Sequence, residues 1–535
     1  VGLGNGFRVI AAIAAAIAVV PFFYIGFRAV QAPPATWINL WNGQLSGLIL
    51  ASAKYAAATM SIATAIGLGM AWLVERTDLP GRRVWRWLLA VPLAMPAYVG
   101  AVCAILLLRR GGIIEQMYMA ATGAQAGVLP VVDVYSLGGA AVVTALCVYP
   151  YVFLPASAAL RGSDAVLEES ARMLGASRWQ AFWRVTLPCI APSVLAGMLL
   201  VALYALSDFG AVSMLRYRTF TVAIYSQFAG QVDRSAAAAL SLVLVVLTVP
   251  LLIGEAKLAR RGRRLVGDVE HPSRPFALGR ARPLAFGAAC VVAAAALGVP
   301  VAVLGYLSLS GWMAPTTVDR IWSVGSDTLW RHALNSLFAA GVAATAAVAL
   351  AIAPAWLVVR APGRFTSILM TIARSPSALP GILIGLASIL LFSQALPLLY
   401  GGVTVLMFGL ALRQLPQALA TSEGVLRMAP VIAEETACSL GARSWQVLWR
   451  VTLPIVRPGI AASWMLAFVS ALKDLPTAVL LRPPGFDTLP VRIWAAASES
   501  VYTQAAPAAL LLLLCAVVPM ILLTTTDAGR RTAEI

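Results

Sequence analysis

Long apolar runs along this chain are separated by short polar breaks. In the first half they predict six helical spans, at about 8–31, 45–74, 86–109, 135–160, 189–207 and 236–256. The second half predicts six more, at about 284–310, 329–358, 366–393, 400–421, 455–472 and 506–525. About 20 mainly apolar residues cross the hydrocarbon layer as a helix. The longer runs must tilt or project beyond it. Gly and Pro within the runs are tolerated in spanning helices. A membrane barrel would show shorter, alternating segments. The predicted class is an all-α polytopic membrane protein. Arg8 and the run that follows could mimic a secretory leader, but the run is too long and no small-residue cleavage site ends it, so it reads as the first span.

Two polar islands interrupt the pattern in the same way. Residues 168–188 read EESARMLGASRWQAFWRVTLP, and residues 434–454 read EETACSLGARSWQVLWRVTLP. Fourteen of these twenty-one positions are identical, and the step between copies is 266 residues, from Gly175 to Gly441. The same step relates Asp208-Phe-Gly to Asp474-Leu-Pro. Phe220–Tyr225 and Thr488–Trp494 correspond more loosely. The chain therefore divides into a half at 1–256, a linker at 257–283 and a half at 284–535. Two six-span halves in one orientation predict a parallel pseudo-dimer about an axis along the membrane normal.

Composition supports the class: 60% of residues are hydrophobic and 11% charged, against about 25% charged in soluble domains. The net charge of +17 is explained by Lys and Arg collecting in cytoplasmic loops, so nucleic acid is not an expected partner. The linker carries Lys257, Arg260, Arg261, Arg263, Arg264, Arg274, Arg280 and Arg282 against Asp268 and Glu270. That excess predicts a cytoplasmic linker, and six spans on each side then predict cytoplasmic termini. The loops 76–83 and 360–364 and both islands, 161–188 and 427–454, fall on the same side. The opposite loops 31–43 and 393–401 hold no Lys or Arg.

Little suggests catalysis. The six cysteines form no C-x-x-C pair, and the two histidines, His271 and His332, are far apart; no His or Cys metal site is expected. The three lysines, Lys54, Lys257 and Lys473, stand in no G-x-x-x-x-G-K-[ST] phosphate cradle. Energy from ATP would have to come through another chain.

Each island predicts a short helix, a turn and a second helix. Residues 165–174 form the first helix, which Gly175 ends through positive φ. Residues 176–185 form the second, and Pro188 breaks it from the next span. Gly441 and Pro454 repeat this. An interfacial helix would account for Trp179, Trp445 and the arginines. It does not account for Glu168, Glu169, Glu434 and Glu435, which anionic lipid repels. A docking surface for a partner protein accounts for both.

The Glu169, Ala171, Gly175, Leu187-Pro188 series, repeated at Glu435, Ala437, Gly441, Leu453-Pro454, resembles the EAA loop of binding-protein-dependent ABC importer permeases. Ser170 and Thr436 replace the middle residue of the Glu-Ala-Ala triplet. The resemblance implies the type I importer fold and a coupling role for both islands, including Trp179, Arg184, Trp445 and Arg450. It implies two copies of a cytoplasmic ABC ATPase, which uses ATP and Mg, an extracytoplasmic solute-binding protein, and no cofactor on this chain. Residues 92–98, 149–155, 207–210, 378–382 and 481–489 make nearly the whole chain similar to the ferric-iron importer permeases. The location implied is the bacterial cytoplasmic membrane. Related fused permeases for thiamine, phosphonate, polyamine or inorganic anions are the alternatives.

Candidates for the substrate path are Asp208 and Asp474, near the outer ends of the fifth and eleventh spans, with Tyr98, Tyr149 and Tyr151. Ionisable groups at a transport interface are functional candidates, and carboxylates and phenolates suit a hard cation. The alternative for each Asp is a helix cap or a pair with Arg216 or Arg482. A secondary transporter would place essential charges within the spans; here they sit mostly at span ends and in loops.

Overall fold

A computed structural model describes residues 5–123, 125, 133–162, 165–230, 234–265, 276–312 and 321–525. Within the expected linker, 266–275 lie outside that set. The principal helices of the first half are α1 (Asn5–Gln31), α2 (Ser46–Arg76), α3 (Ala97–Leu108), α4 (Leu137–Val148), α5 (Pro150–Arg161), α6 (Ala165–Met173), α7 (Leu187–Ser207) and α8 (Arg234–Leu265). The second half has α9 (Arg282–Ala293), α10 (Val299–Trp312), α11 (Ile321–Arg360), α12 (Arg364–Ala373), α13 (Gly381–Ala395), α14 (Val403–Met428), α15 (Val431–Ser439), α16 (Leu453–Leu472) and α17 (Tyr502–Thr525). Among the described residues ten helices are long and apolar enough to cross a membrane, or up to twelve if two bent pairs each count as one.

Proline explains both bent pairs. Pro150 starts α5 at 44° to α4, and Pro380 precedes α13, which turns 107° from the helical stretch Arg364–Ala378. Proline lacks an N–H and moves the preceding residue away from helical geometry. The span expected at 86–109 is broken in the same manner. A short helix, Arg82–Leu88, and a 3-10 turn, Val91–Ala94, precede Pro96 and α3.

Prolines later in the chain meet a different solution. The break expected at Pro188 is absent: helix continues from Arg178 through a π turn, Phe182–Thr186, into α7. In the second half Leu448–Thr452 is the matching π turn before Pro454. A proline ring inside an α-helix crowds the carbonyl four residues earlier, here Arg184 or Arg450. Both lie in the wider π turn, which relieves that contact. Ala294–Gly298 before Pro300 is a third instance.

The first spans cross between halves. Helix α1 packs on α11, α12 and α13 of the second half as well as on α8. Phe7 stacks on Trp356 with ring centroids 4.9 Å apart, and Tyr24 donates a hydrogen bond to Gln394. Helix α10 returns the contact, packing on α3 as well as on α17. Alanine at 11, 14, 15 and 18 is buried along α1. Without a hydrophobic drive between helices in lipid, such small residues let backbones approach closely. The far end of the linker is also fixed. Phe276 N–H donates to Arg76 O at 2.7 Å, Asp78 N–H donates to Phe276 O at 3.0 Å, and the Phe276 ring stacks on Trp72.

Candidate functional site

Each island is a short helix tied to its own half by one glutamate. Glu434 on α15 is buried, and Arg360 at the end of α11 forks onto it, Nε to Oε2 at 2.8 Å and Nη2 to Oε1 at 2.9 Å. Thr452 Oγ1 donates to Glu434 Oε1 at 2.9 Å. In the first island Glu168 is buried too, with Thr186 Oγ1 donating to it at 3.1 Å and Arg76 Nη1 forming a longer ion pair at 3.8 Å. Bidentate guanidinium–carboxylate contacts combine charge with fixed geometry. Thus Glu168 and Glu434 face inward, whereas their neighbours Glu169 and Glu435 are exposed. Adjacent residues on a helix point about 100° apart, which follows from 3.6 residues per turn.

The turn beyond each helix is a left-handed C-cap. Gly175 has φ +92° and Gly441 φ +86°. Ala176 N–H reaches Ala171 O at 3.1 Å, and Ala442 N–H reaches Ala437 O at 3.0 Å. This is the six-to-one bond of a Schellman motif, and it places Ala171 and Ala437 within the cap. Gln180 Oε1 accepts Ser177 N–H at 2.9 Å, and Gln446 Oε1 accepts Arg443 N–H at 2.9 Å. These glutamines start the second helical stretch by bonding back to its first turn. Both are identical between the copies and were available to sequence reasoning as capping residues.

The cap projects one apolar side chain outward. Leu174 is 89% exposed and its counterpart Leu440 is 84% exposed. Met173, next to Leu174 in the chain, is also exposed, as is Ile432 at the start of α15. An apolar tip on a charged helix marks an interaction surface more sharply than scattered surface leucines do. Trp179 and Trp445, to which the resemblance extends the coupling role, have side chains outside the described set. Arg184, Pro188 and Arg450 are exposed where α7 and α16 begin.

At the far ends of α7 and α16 the halves meet. Asp208 Oδ1 accepts Ala211 N–H at 3.3 Å, and Asp474 Oδ1 accepts Thr477 N–H at 3.1 Å. Both aspartates therefore cap the turn that follows. Tyr55 donates to Asp208 Oδ2 at 3.3 Å. Asp474 lies 3.7 Å from Arg413 Nε, while Arg482 pairs with Asp487 at 2.6 Å and Arg216 lies over the Tyr135 ring. Gly210 closes this interface: a methyl there would stand 2.9 Å from both Leu475 Cδ2 and Tyr98 Cβ. Tyr98 and Tyr149 are buried with no hydrogen-bond partner on their hydroxyls, and Tyr151 lies 6.0 Å from Tyr204, ring to ring. Beyond them Tyr225 and Trp494 meet edge to face, with Phe209 against both. Among the described residues no three His, Cys, Asp or Glu side chains converge to hold a metal.

Comparison with known proteins agrees with this architecture. The chain is 28% identical to the Fe(3+)-transport system permease protein FbpB 2 of Haemophilus influenzae, over 91% of each chain. It is 22% identical to the putative ferric transport system permease protein FbpB 1 of the same organism, over 78% of this chain and 68% of that one. It is 30% identical to the molybdenum transport system permease protein ModB of Escherichia coli, over 41% of this chain and 95% of that one. The pattern described as binding-protein-dependent transport system inner membrane component matches residues 63–264 and again 346–531. Each match contains one island and one capped aspartate. The chain belongs to that family of inner-membrane transport components and carries its domain twice.

Proposed function

We propose that this chain is the fused permease of an ATP-driven ferric-iron importer. The observation that carries the coupling role is the pair of islands. Each is pinned to its half through a buried glutamate and presents an exposed leucine beside a glycine cap. The likeness to ferric permeases over nearly the whole chain supports the cargo. Both islands, the linker and the termini face the cytoplasm in this reading. Two copies of an ABC ATPase dock there, one on each island, and an extracytoplasmic binding protein delivers the ion on the other side.

ATP closes the two ATPase subunits and carries the islands with them. Because Glu168 and Glu434 tie the islands to α2, α7, α11 and α16, that motion reaches the spans directly. The halves rock about their common axis and open the Tyr225–Trp494 contact alternately with the inner end. Glu169 and Glu435 meet basic groups of the ATPase, and Leu174 and Leu440 fill apolar hollows on it. Asp208, Asp474 and Tyr98 line the path at the interface. A hard trivalent ion favours oxygen donors, and transit requires binding weak enough to release it.

Part of the chain's similarity is to molybdenum permeases, and Arg413 and Lys473 place cations at the interface. These observations favour an inorganic oxyanion as the second reading. Uptake by the purified complex in proteoliposomes, with radiolabelled ferric ion and molybdate offered separately, decides between them. Ferric uptake unaffected by excess molybdate supports the first reading; molybdate uptake alone replaces it with the second.

A further inference from the structure

The two halves build the same turn before a proline-led helix. In the first half Met95 N–H closes the turn Val91–Ala94 onto Pro92 O at 3.0 Å, and in the second Leu379 N–H closes Ser375–Ala378 onto Pro376 O at 3.1 Å. After Pro96 and Pro380 the helices begin alike, with Val99 N–H to Pro96 O at 3.0 Å and Leu383 N–H to Pro380 O at 2.9 Å. Buried backbone carbonyls in a membrane protein need donors, since lipid offers none. In the second half Arg413 supplies one, its Nη1 donating to Leu379 O at 2.8 Å.

Position 147 occupies the corresponding place in the first half. The same 266-residue step relates 147 to 413, Pro150 to Pro416 and Arg161 to Arg427. A buried cysteine stands there and brings no cation. The donor comes instead from the other half: Lys473 Nζ donates to Leu93 O at 2.8 Å, across 380 residues of sequence. Leu93 lies in the equivalent turn, two residues before the position matching Leu379. Cys147 packs against the helix that this turn precedes: a methyl at Gly100 would stand 2.8 Å from its Sγ. In the first half the place of Lys473 is taken by Ser207.

We infer that Lys473 is a positioning residue for the first half's turn, a cation supplied in trans where the second half uses its own Arg413. Fixing Leu93 fixes the start of α3, and with it Tyr98 against Gly210 and Leu475. The halves are thereby tied at the interface where cargo passes; the second half's turn also takes a bond from the first, Thr248 Oγ1 to Ala378 O at 3.0 Å, from a hydroxyl rather than a cation. The inference rests on the reading of the chain as a permease but not on which ion it carries.

The test exchanges the two arrangements. Lys473→Ser, Lys473→Arg and the double variant Cys147→Arg/Lys473→Ser are placed in the full chain, in lipid nanodiscs with the ATPase. Hydrogen exchange of amides 93–100 is compared with that of 377–384. Lys473→Ser is expected to speed exchange in the first segment roughly tenfold, the scale of a lost hydrogen bond to a charged donor, and to leave the second unchanged. Lys473→Arg stays near the parent, and the double variant, whose cation is supplied in cis, returns there. Uptake per ATP hydrolysed follows the same order. If Lys473→Ser does not assemble, recovery of assembly in the double variant supports the inference. Unchanged exchange in Lys473→Ser, or a double variant as impaired as the single one, overturns it. A parent complex that carries no ferric iron would count against the cargo reading alone, because the exchange measurement does not depend on cargo.

Discussion

Arg360 holds Glu434 by two hydrogen bonds of 2.8 and 2.9 Å, while Arg76, at the end of the matching helix in the other half, stands 3.8 Å from Glu168. The two islands are built from one plan but are not equally fastened. Removing one partner of a buried ion pair costs about 3–5 kcal/mol. Glu434→Ala should therefore release the second island and abolish ATPase co-purification on that side. Glu168→Ala should weaken the first island by less, since its carboxylate meets Arg76 at 3.8 Å rather than through a two-bond fork. Site-specific cross-linking of each island to the ATPase reads the difference, and equal losses would show the asymmetry to be without consequence.

The exposed leucines give the second prediction. Leu174→Ser and Leu440→Ser remove side chains that contact little within the chain, so the permease should insert and melt as before. ATPase affinity should fall roughly tenfold for each, the scale of burying one leucine in a partner. Unchanged binding in the double variant would place the docking surface elsewhere.

The glycine caps give a third, in which strain and contact separate. A methyl at Gly175 or Gly441 would meet nothing within 4 Å. Substitution therefore acts in the isolated permease through positive φ alone, about 1–2 kcal/mol for an ordinary L-residue and less for Asn. A bulky residue at both positions should leave insertion intact and uncouple or release the ATPase, with Asn the mildest replacement. Normal co-purification and normal transport in the bulky double variant would remove the islands from the mechanism.

Tyr225 and Trp494, 5.8 Å apart between ring centroids at 78°, are the fourth. Cysteines at both positions should cross-link in the nucleotide-free complex and lose that cross-link when ATP closes the ATPase. Cross-linking independent of nucleotide would show that this contact does not open.

Much of this was legible because it is local. Identity at a fixed step exposed the two halves, the islands, the glycine turns and the paired aspartates. Other features depend on partners far away in the sequence. Glu168 and Glu169 look equivalent until Arg76 and Thr186 select one of them. Pro188 reads as a helix break until the π turn at 182–186 absorbs it. The crossing of α1 onto the second half leaves no periodic signal, and the bond from Lys473 to Leu93 joins positions that no pattern links. Both aspartates bond the turn that follows them, and Arg413 rather than Arg482 stands beside Asp474, because α14 brings Arg413 back from sixty-one residues upstream.

The most direct measurement is ferric-ion uptake into sealed proteoliposomes containing this chain, the ATPase and the binding protein. Uptake should require internal or external ATP on the side bearing the islands, stop with Leu174→Ser/Leu440→Ser, and be absent with an ion gradient alone. Uptake driven by the gradient without the ATPase would contradict an importer powered through these islands.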